Sequence, residues 1–112
     1  MKIVRIYNGP DGKSTFEHVS LESRPELKTM QAARGVQFTS WPPGPCMDFH
    51  PAPRHQLVIT LQGEMEIGLE DGTTERFGPG DVLIAEDLQG KGHTLRVTGD
   101  QQRISVSVPL VD

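Results

Sequence analysis

The side chains best suited to chemistry in this sequence are three histidine imidazoles, one arginine guanidinium close to two of them in sequence, and a single cysteine thiol. His50, His55 and His93 lie within a stretch of 44 residues in the middle and later part of the chain, and a neutral imidazole binds transition metals or moves protons near neutral pH. Arg54 can hold a carboxylate or phosphate through two parallel hydrogen bonds. Cys46 lies in a Pro-rich stretch without a histidine at a catalytic spacing, so we interpret it as a packed residue. The candidate chemistry is metal binding, anion binding, or acid–base catalysis by His50 or His93.

Length, charge and cysteine usage narrow the class of protein. The chain has 112 residues, which predicts one domain over residues 1–112. Its net charge is −4 and its 11 basic residues are scattered, which argues against a nucleic-acid partner. There is no apolar run near the roughly 20 residues of a membrane-spanning helix. The lone cysteine and the lack of a secretory pattern predict a cytoplasmic protein.

Turn residues divide the sequence into short segments that must position these groups. Twelve glycines and nine prolines separate stretches rich in Val, Ile, Thr and Phe, which predicts an all-β fold. The clearest alternation places Met65, Ile67 and Leu69 on one buried face. Pro25–Met30 is left open as a turn or an edge piece, and the Pro-rich stretch after Trp41 is predicted to end a strand. The predicted strands are 2–7, 16–21, 35–41, 55–62, 64–69, 73–77, 82–85, 93–97 and 103–108.

The order of several of these residues resembles a known family. His50, Gln56, Gly63, Gly80-Asp81 and His93 are similar to the two sequence motifs of the cupin superfamily, over roughly residues 48–97. The resemblance implies a single cupin-type β-barrel (a double-stranded β-helix, or jelly roll) of the small, single-domain, conserved-barrel type. Closing a sheet in this way also removes exposed strand edges. Because single-domain cupins commonly pair, it further implies a homodimer, for which the apolar N-terminal strand could supply the interface.

The resemblance implies a metal site with an incomplete set of ligands. The family's usual site holds Fe, Mn, Ni or Zn with three histidines and a glutamate. Here His50, Gln56 and His93 occupy ligand places, whereas Ala52 stands at the place of another histidine. All three ligands are neutral, so we expect weak binding of one divalent transition metal at most. An acidic residue from elsewhere, such as Asp48 or Glu86, could supply the missing charge.

Arg54, His55 and Trp41 are the candidate ligand-binding residues. If residues 50–56 formed a regular strand, His50, Arg54 and Gln56 would share a face, and the guanidinium would favour an anionic ligand. Two prolines in this stretch argue against a regular strand, and a slip by one residue would turn His55 inward instead. Trp41 is either a packing anchor or a wall of the ligand site.

Two functions from different classes therefore stay open. The first is a barrel that binds a small, possibly anionic metabolite with at most a weakly held metal. The second is a metal-dependent enzyme of the dioxygenase, isomerase or lyase type, in which the ion would polarise an oxygen-bearing substrate or activate O₂. Metal-free acid–base catalysis by a histidine is a third option.

Overall fold

The chain folds into ten β-strands in two sheets, and the computed structural model describes residues 1–111. This confirms the all-β prediction. Pro25–Lys28 forms a short 3-10 helix, and no helix within the described residues is long and apolar enough to cross a membrane. The strands are β1 (Ile3–Asn8), β2 (Ser14–Val19), β3 (Gln37–Trp41), β4 (Gly44–His50), β5 (Gln56–Gln62), β6 (Glu64–Gly68), β7 (Thr74–Phe77), β8 (Val82–Glu86), β9 (His93–Thr98) and β10 (Arg103–Pro109).

The two sheets pack their apolar faces against each other. The larger sheet has the strand order β2-β1-β8-β5-β10-β3, and the smaller has the order β4-β9-β6-β7. The pairing of β1 with β8 is parallel and the other pairings are antiparallel. Val4 and Ile6 of the larger sheet and Met65, Ile67 and Phe77 of the smaller sheet form one buried cluster. Their burial supplies the hydrophobic stabilisation that holds the sheets together.

The alternation predicted for the sixth strand is confirmed. Met65 and Ile67 are 1% and 0% exposed, and Leu69, just beyond the strand, is buried as well. The strand lies between β9 and β7, so one face covers the core while the other carries Glu64 and Glu66. Period-two patterning is reliable here because only one face of this sheet is covered.

Strand β4 was not among the predicted strands, because its sequence begins in the Pro-rich stretch that we predicted to end the preceding strand. Pro45 is tolerated because β4 is an edge strand that pairs with β9 alone; an edge strand can lose a donor without breaking a ladder on both sides. The pairing shifts register around Met47. As a result His50 lies directly opposite His93.

The N-terminal strand lies within the larger sheet and not at its edge. β1 lies between β2 and β8, and its Val4 and Ile6 side chains are fully buried in the core. The apolar side chains of Val4 and Ile6 are therefore used inside the sandwich, and the expectation that this strand supplies a dimer surface stays untested. The homodimer itself stays a prediction.

Gly92 allows the end of β4 to lie against the start of β9. Its φ is +82°, and a Cβ atom there would lie 1.9 Å from the carbonyl oxygen of His50. Only glycine provides both the left-handed backbone and the empty space. Gly92 thereby fixes the approach of His50 and His93.

We expect Gly92→Ala to destabilise the fold far more than Gly72→Ala. Gly72 has a similar φ of +88° but nothing within 4 Å of the added Cβ, so it reports the backbone strain alone. That strain is about 1–2 kcal/mol, whereas the collision at Gly92 should bring the loss to about 3 kcal/mol or more. Urea unfolding of both variants measures the difference. Equal losses would show that the loop before His93 can move aside.

Candidate functional site between the sheets

A cavity of about 380 Å³ lies between the two sheets. This volume is in the range of small-molecule pockets. Apolar side chains form most of its wall, namely Val58, Met65, Ile67, Leu83, Ala85 and Leu95. Hydroxyl groups of Thr39, Ser105 and Ser107 also face it. The cavity therefore offers an apolar middle with a few polar positions.

The polar groups gather at two opposite ends of the cavity. At one end β5 begins with Gln56, whose partner in β8 is Ala85, and there His50 faces His93. At the other end Thr60 of β5 accepts a hydrogen bond from Arg103. Gln56 and Thr60 are four residues apart on one strand, and four rises of roughly 3.3 Å place these ends roughly 13 Å apart.

His93 is held by a buried carboxylate. Its Nδ1 lies 2.6 Å from Oδ2 of Asp87, and the same oxygen accepts a hydrogen bond from Ser14 Oγ at 2.7 Å. Asp87 is 0% exposed and His93 is 4% exposed. An ionised carboxylate has no hydrogen to give, so Nδ1 carries the proton. Nε2 is then the basic nitrogen of the ring.

His50 has the same tautomer for a different reason. Its Nδ1 lies 2.8 Å from the backbone carbonyl oxygen of Asp48, which can only accept a hydrogen bond. The proton is therefore on Nδ1, and Nε2 is again the basic atom. The two imidazole rings lie 4.7 Å apart between centroids, at an angle of 54°. Two basic nitrogens are thus presented at one end of the cavity.

Arg103 places an uncompensated positive charge at the other end. The residue is 2% exposed, its Nη2 donates to Thr60 Oγ1 at 3.1 Å, and its Nε has no partner. Burial lowers the pKa of Arg103 to about 10, and the electrostatic effect of Cys46, which acts to raise this pKa, is smaller. At neutral pH the guanidinium is still charged. Among the ion pairs of residues 1–111, none involves Arg103.

The structure brings four of the six predicted site residues to this cavity. His50, Gln56, His93 and Trp41 line it. The first three converge at one end because β4, β5 and β9 each begin or end there. Trp41 pairs with Arg103 in the neighbouring strand and so lies near the opposite end. The ligand-binding role of Trp41 and the metal role of the other three stay predictions.

The other two predicted residues lie elsewhere. Arg54 is exposed and borders a separate groove with Arg34 and Pro109. His55 Nε2 lies 2.8 Å from a carboxylate oxygen of Glu86, which also pairs with Arg5. The stretch before β5 is irregular, as its prolines indicated, so neither alternative for the inward residue holds. The positive charge of the cavity comes from Arg103 and not from Arg54.

Two important residues were missed, although the sequence contained a signal for each. Leu83 and Ala85 face the core, and continuing their alternation by two residues gives Asp87 and not Glu86. In β10 the Arg-x-Ser-x-Ser row faces inward, with Arg103 and Ser105 buried. The usual rule is that the apolar side chains of a strand face the core, and for β10 this rule would turn Ile104, Val106 and Val108 inward instead.

The described residues around the cavity do not form a complete metal site. Within residues 1–111 no group of three or more His, Cys, Asp or Glu side chains is arranged to hold an ion. Asp48 bonds its neighbouring backbone amide, and Glu86 is engaged with Arg5 and His55. Asp87 uses one carboxylate oxygen to hold His93. Two imidazoles and an amide leave the charge of a divalent ion unbalanced.

Comparisons with known proteins give little further information. No protein-family model matches the sequence. No curated protein is detectably similar to it. Among solved structures the chain is similar to protein NMB1881 from Neisseria meningitidis, with 14% sequence identity and a TM-score of 0.49, over 85% of this chain and 100% of that chain.

We expect Arg103→Met to stabilise the free protein. The substitution removes a buried charge that lacks an anionic partner and keeps much of the side-chain volume, which should add about 1–4 kcal/mol. Thermal unfolding should therefore shift upward by about 4 °C or more. Arg96→Met, on the exposed face of β9, is the control and should change little. A lower melting temperature for Arg103→Met alone would contradict an uncompensated charge.

Proposed function

We propose that this protein binds a small organic anion in the cavity between its sheets, with Arg103 as the partner of the anionic group. The observation that carries this proposal is a buried guanidinium that lines the cavity and has one hydrogen bond and no ion pair within the described residues. A buried charge without a partner, such as that of Arg103, lowers the stability of the fold because it has lost its hydration. An anionic ligand would offset that cost when it binds.

The guanidinium geometry favours a carboxylate as the anionic group. Nη2 is bonded to Thr60, whereas Nε is buried without a partner. A planar carboxylate can accept two parallel hydrogen bonds from a guanidinium. In a site shielded from water such charge-assisted bonds are stronger than neutral ones.

The rest of the cavity restricts the body of the ligand. Its middle is formed by aliphatic side chains, including Val58, Leu83 and Leu95. Its far end presents Gln56 and the two imidazoles. At roughly 30 Å³ per water-sized group, the cavity holds about a dozen non-hydrogen atoms. These features favour an elongated monocarboxylate with an apolar chain and a polar group at its far end.

The fold that we propose for this function is a cupin-type barrel. The two facing sheets, the position of His50 opposite His93 and the cavity between the sheets support it. Gln56 at the same end of the cavity is consistent with the motif order seen in the sequence. In such a barrel the ligand lies inside, between the strands.

A metal-dependent enzyme is the second candidate. The observation in its favour is that both imidazoles hold Nδ1 with a hydrogen bond and offer Nε2, the arrangement that commonly supports metal-ligating histidines. Against it, the carboxylate of Asp87 contacts His93 at Nδ1 and not at the Nε2 that would ligate an ion, no group of three ligating side chains is found among the described residues, and Arg103 already makes the cavity positive. The donor set does not fit a tightly held divalent ion, and we derive no step through one.

Octanoate should bind in the cavity with a dependence on Arg103. We expect Arg103→Met to weaken octanoate binding at least about tenfold, because a charge-assisted hydrogen bond is worth about 1.5–3 kcal/mol. Arg54→Met, at an exposed position outside the cavity, is the matched control and should bind normally. Octan-1-ol, which lacks the charge, should bind weakly to all three proteins. Calorimetry that finds equal octanoate affinity for wild type and Arg103→Met would refute the anion site.

Elemental analysis separates the two candidates. We expect the purified, untagged protein to hold far less than one metal per chain after loading with Fe, Mn, Ni, Zn or Cu, since the ligands at hand are neutral. One metal per chain that is lost in both His50→Asn and His93→Asn would instead establish the metal-dependent reading. His18→Asn, at an exposed histidine, is the control.

A further inference from the structure

We propose that His93 is a metal-free proton-transfer catalyst that acts on the end of the bound anion remote from its carboxylate, and that Asp87 is its positioning residue. This inference rests on the proposed binding of a carboxylate at Arg103 and adds a reaction to it. Three features carry it: the hydrogen bond between His93 and Asp87, the burial of both residues, and the position of His93 on the cavity wall.

Asp87 fixes the tautomer and the orientation of His93. Its Oδ2 accepts hydrogen bonds from His93 Nδ1 and from Ser14 Oγ, and its backbone carbonyl accepts one from Ala52 N at 2.9 Å. The carboxylate therefore has little freedom to turn. With Nδ1 occupied, only Nε2 of His93 is available to a ligand. This is the arrangement in which an imidazole works as a general base.

The surroundings of Asp87 also stabilise the charged form of His93 during reaction. Oδ1 of Asp87 is buried and has no partner in the described residues, and both side-chain hydrogen bonds fall on Oδ2. A carboxylate with few donors in a region of low dielectric attracts a neighbouring positive charge strongly. When Nε2 takes a proton, the imidazolium that forms is adjacent to this negative charge. The carboxylate of Asp87 thus stabilises the imidazolium form of His93 that arises during the reaction more than the neutral imidazole of the resting protein.

The reaction class that these groups support without a co-reactant is a proton shift beside a carbonyl group. His93 Nε2 removes a proton from a carbon next to the carbonyl, and the C–H electron pair forms a C=C bond. The C=O π pair moves to oxygen, which takes the proton back from the imidazolium and gives the enol. Gln56 lies at this end of the cavity and has an amide N–H₂ that can donate to the developing oxyanion. The step is an isomerisation, so atoms and electrons balance.

The length of the cavity determines how far apart the carboxylate and the carbonyl group of a suitable ligand must be. The Arg103 and His93 ends are roughly 13 Å apart along β5. A hydrogen bond of roughly 2.9 Å at each end leaves roughly 7 Å, the span of about six carbon–carbon bonds from the carboxylate carbon to the carbonyl carbon. The ω-1 keto acid 7-oxooctanoate meets this requirement. We therefore use it as the probe.

The test is deuterium exchange of 7-oxooctanoate in D₂O, followed by NMR at the carbons on either side of the ketone. Wild-type protein should catalyse exchange, and His93→Asn should lower the rate about a hundredfold or more. Asp87→Asn should also lower the rate while leaving octanoate affinity unchanged, since it alters the base and not the carboxylate site. His18→Asn is the matched control and should exchange normally. Octan-2-one, which has the ketone but no carboxylate, should exchange more slowly than the keto acid.

The outcomes separate this inference from the proposed function. Failure of octanoate to bind wild type would reject the carboxylate site itself. Binding that depends on Arg103, together with an exchange rate equal to that of His93→Asn, would overturn the catalytic role alone. An unchanged rate in Asp87→Asn would overturn its positioning role. Should Asp87→Asn not fold, Ser14→Ala is the second variant, because it removes one bond to Asp87 and keeps the bond to His93; it should lower the rate less, and no change would again count against Asp87.

Discussion

The buried carboxylate of Asp87 is the interaction on which one end of the molecule depends. It follows the end of β8 and accepts hydrogen bonds from Ser14 in the larger sheet and from His93 in the smaller sheet. Its backbone also holds Ala52, in the segment between β4 and β5. One residue thus connects both sheets through its side chain and a connecting loop through its backbone. Losing either donor would leave this buried carboxylate still less compensated, so the junction favours the one arrangement in which Ser14 and His93 both reach Oδ2.

The buried charges of Arg103 and Asp87 are not in contact, so neither neutralises the other. Arg103 lines one end of the cavity, whereas Asp87 lies behind His93, which lines the other end; an aliphatic wall that includes Val58 and Leu83 lies between the two ends. In contact they would neutralise each other and close the space between the sheets. Because they are apart, each charge affects the electrostatic potential at its own end of the apolar cavity. The fold therefore maintains an electrical asymmetry along the cavity that a uniform core would not have.

The sequence predicted the strands better than it predicted the site. Alternation and turn residues located most strands to within a few residues, because a sandwich with one covered face imposes that pattern. Strand β4 was missed since proline is excluded only from strands paired on both sides. The His50, Gln56 and His93 set could be placed at one end of the cavity through motif order. Arg103 could not, because inward or outward orientation of β10 depends on which neighbours cover it, and hydropathy alone favours the wrong face.

The inward row of β10 also has a consequence for how ligand size is set. Arg103, Ser105 and Ser107 follow one another on the same face, at intervals of roughly 7 Å. If the proposed carboxylate binds at Arg103, the position of the arginine in this row determines where the anionic group lies along the cavity. Exchanging the residues at 103 and 105 would then move the anion-binding group by one interval and favour a correspondingly shorter ligand. On the proposed mode of binding, two substitutions on one strand are enough to change the chain length that fits, without altering the histidine end.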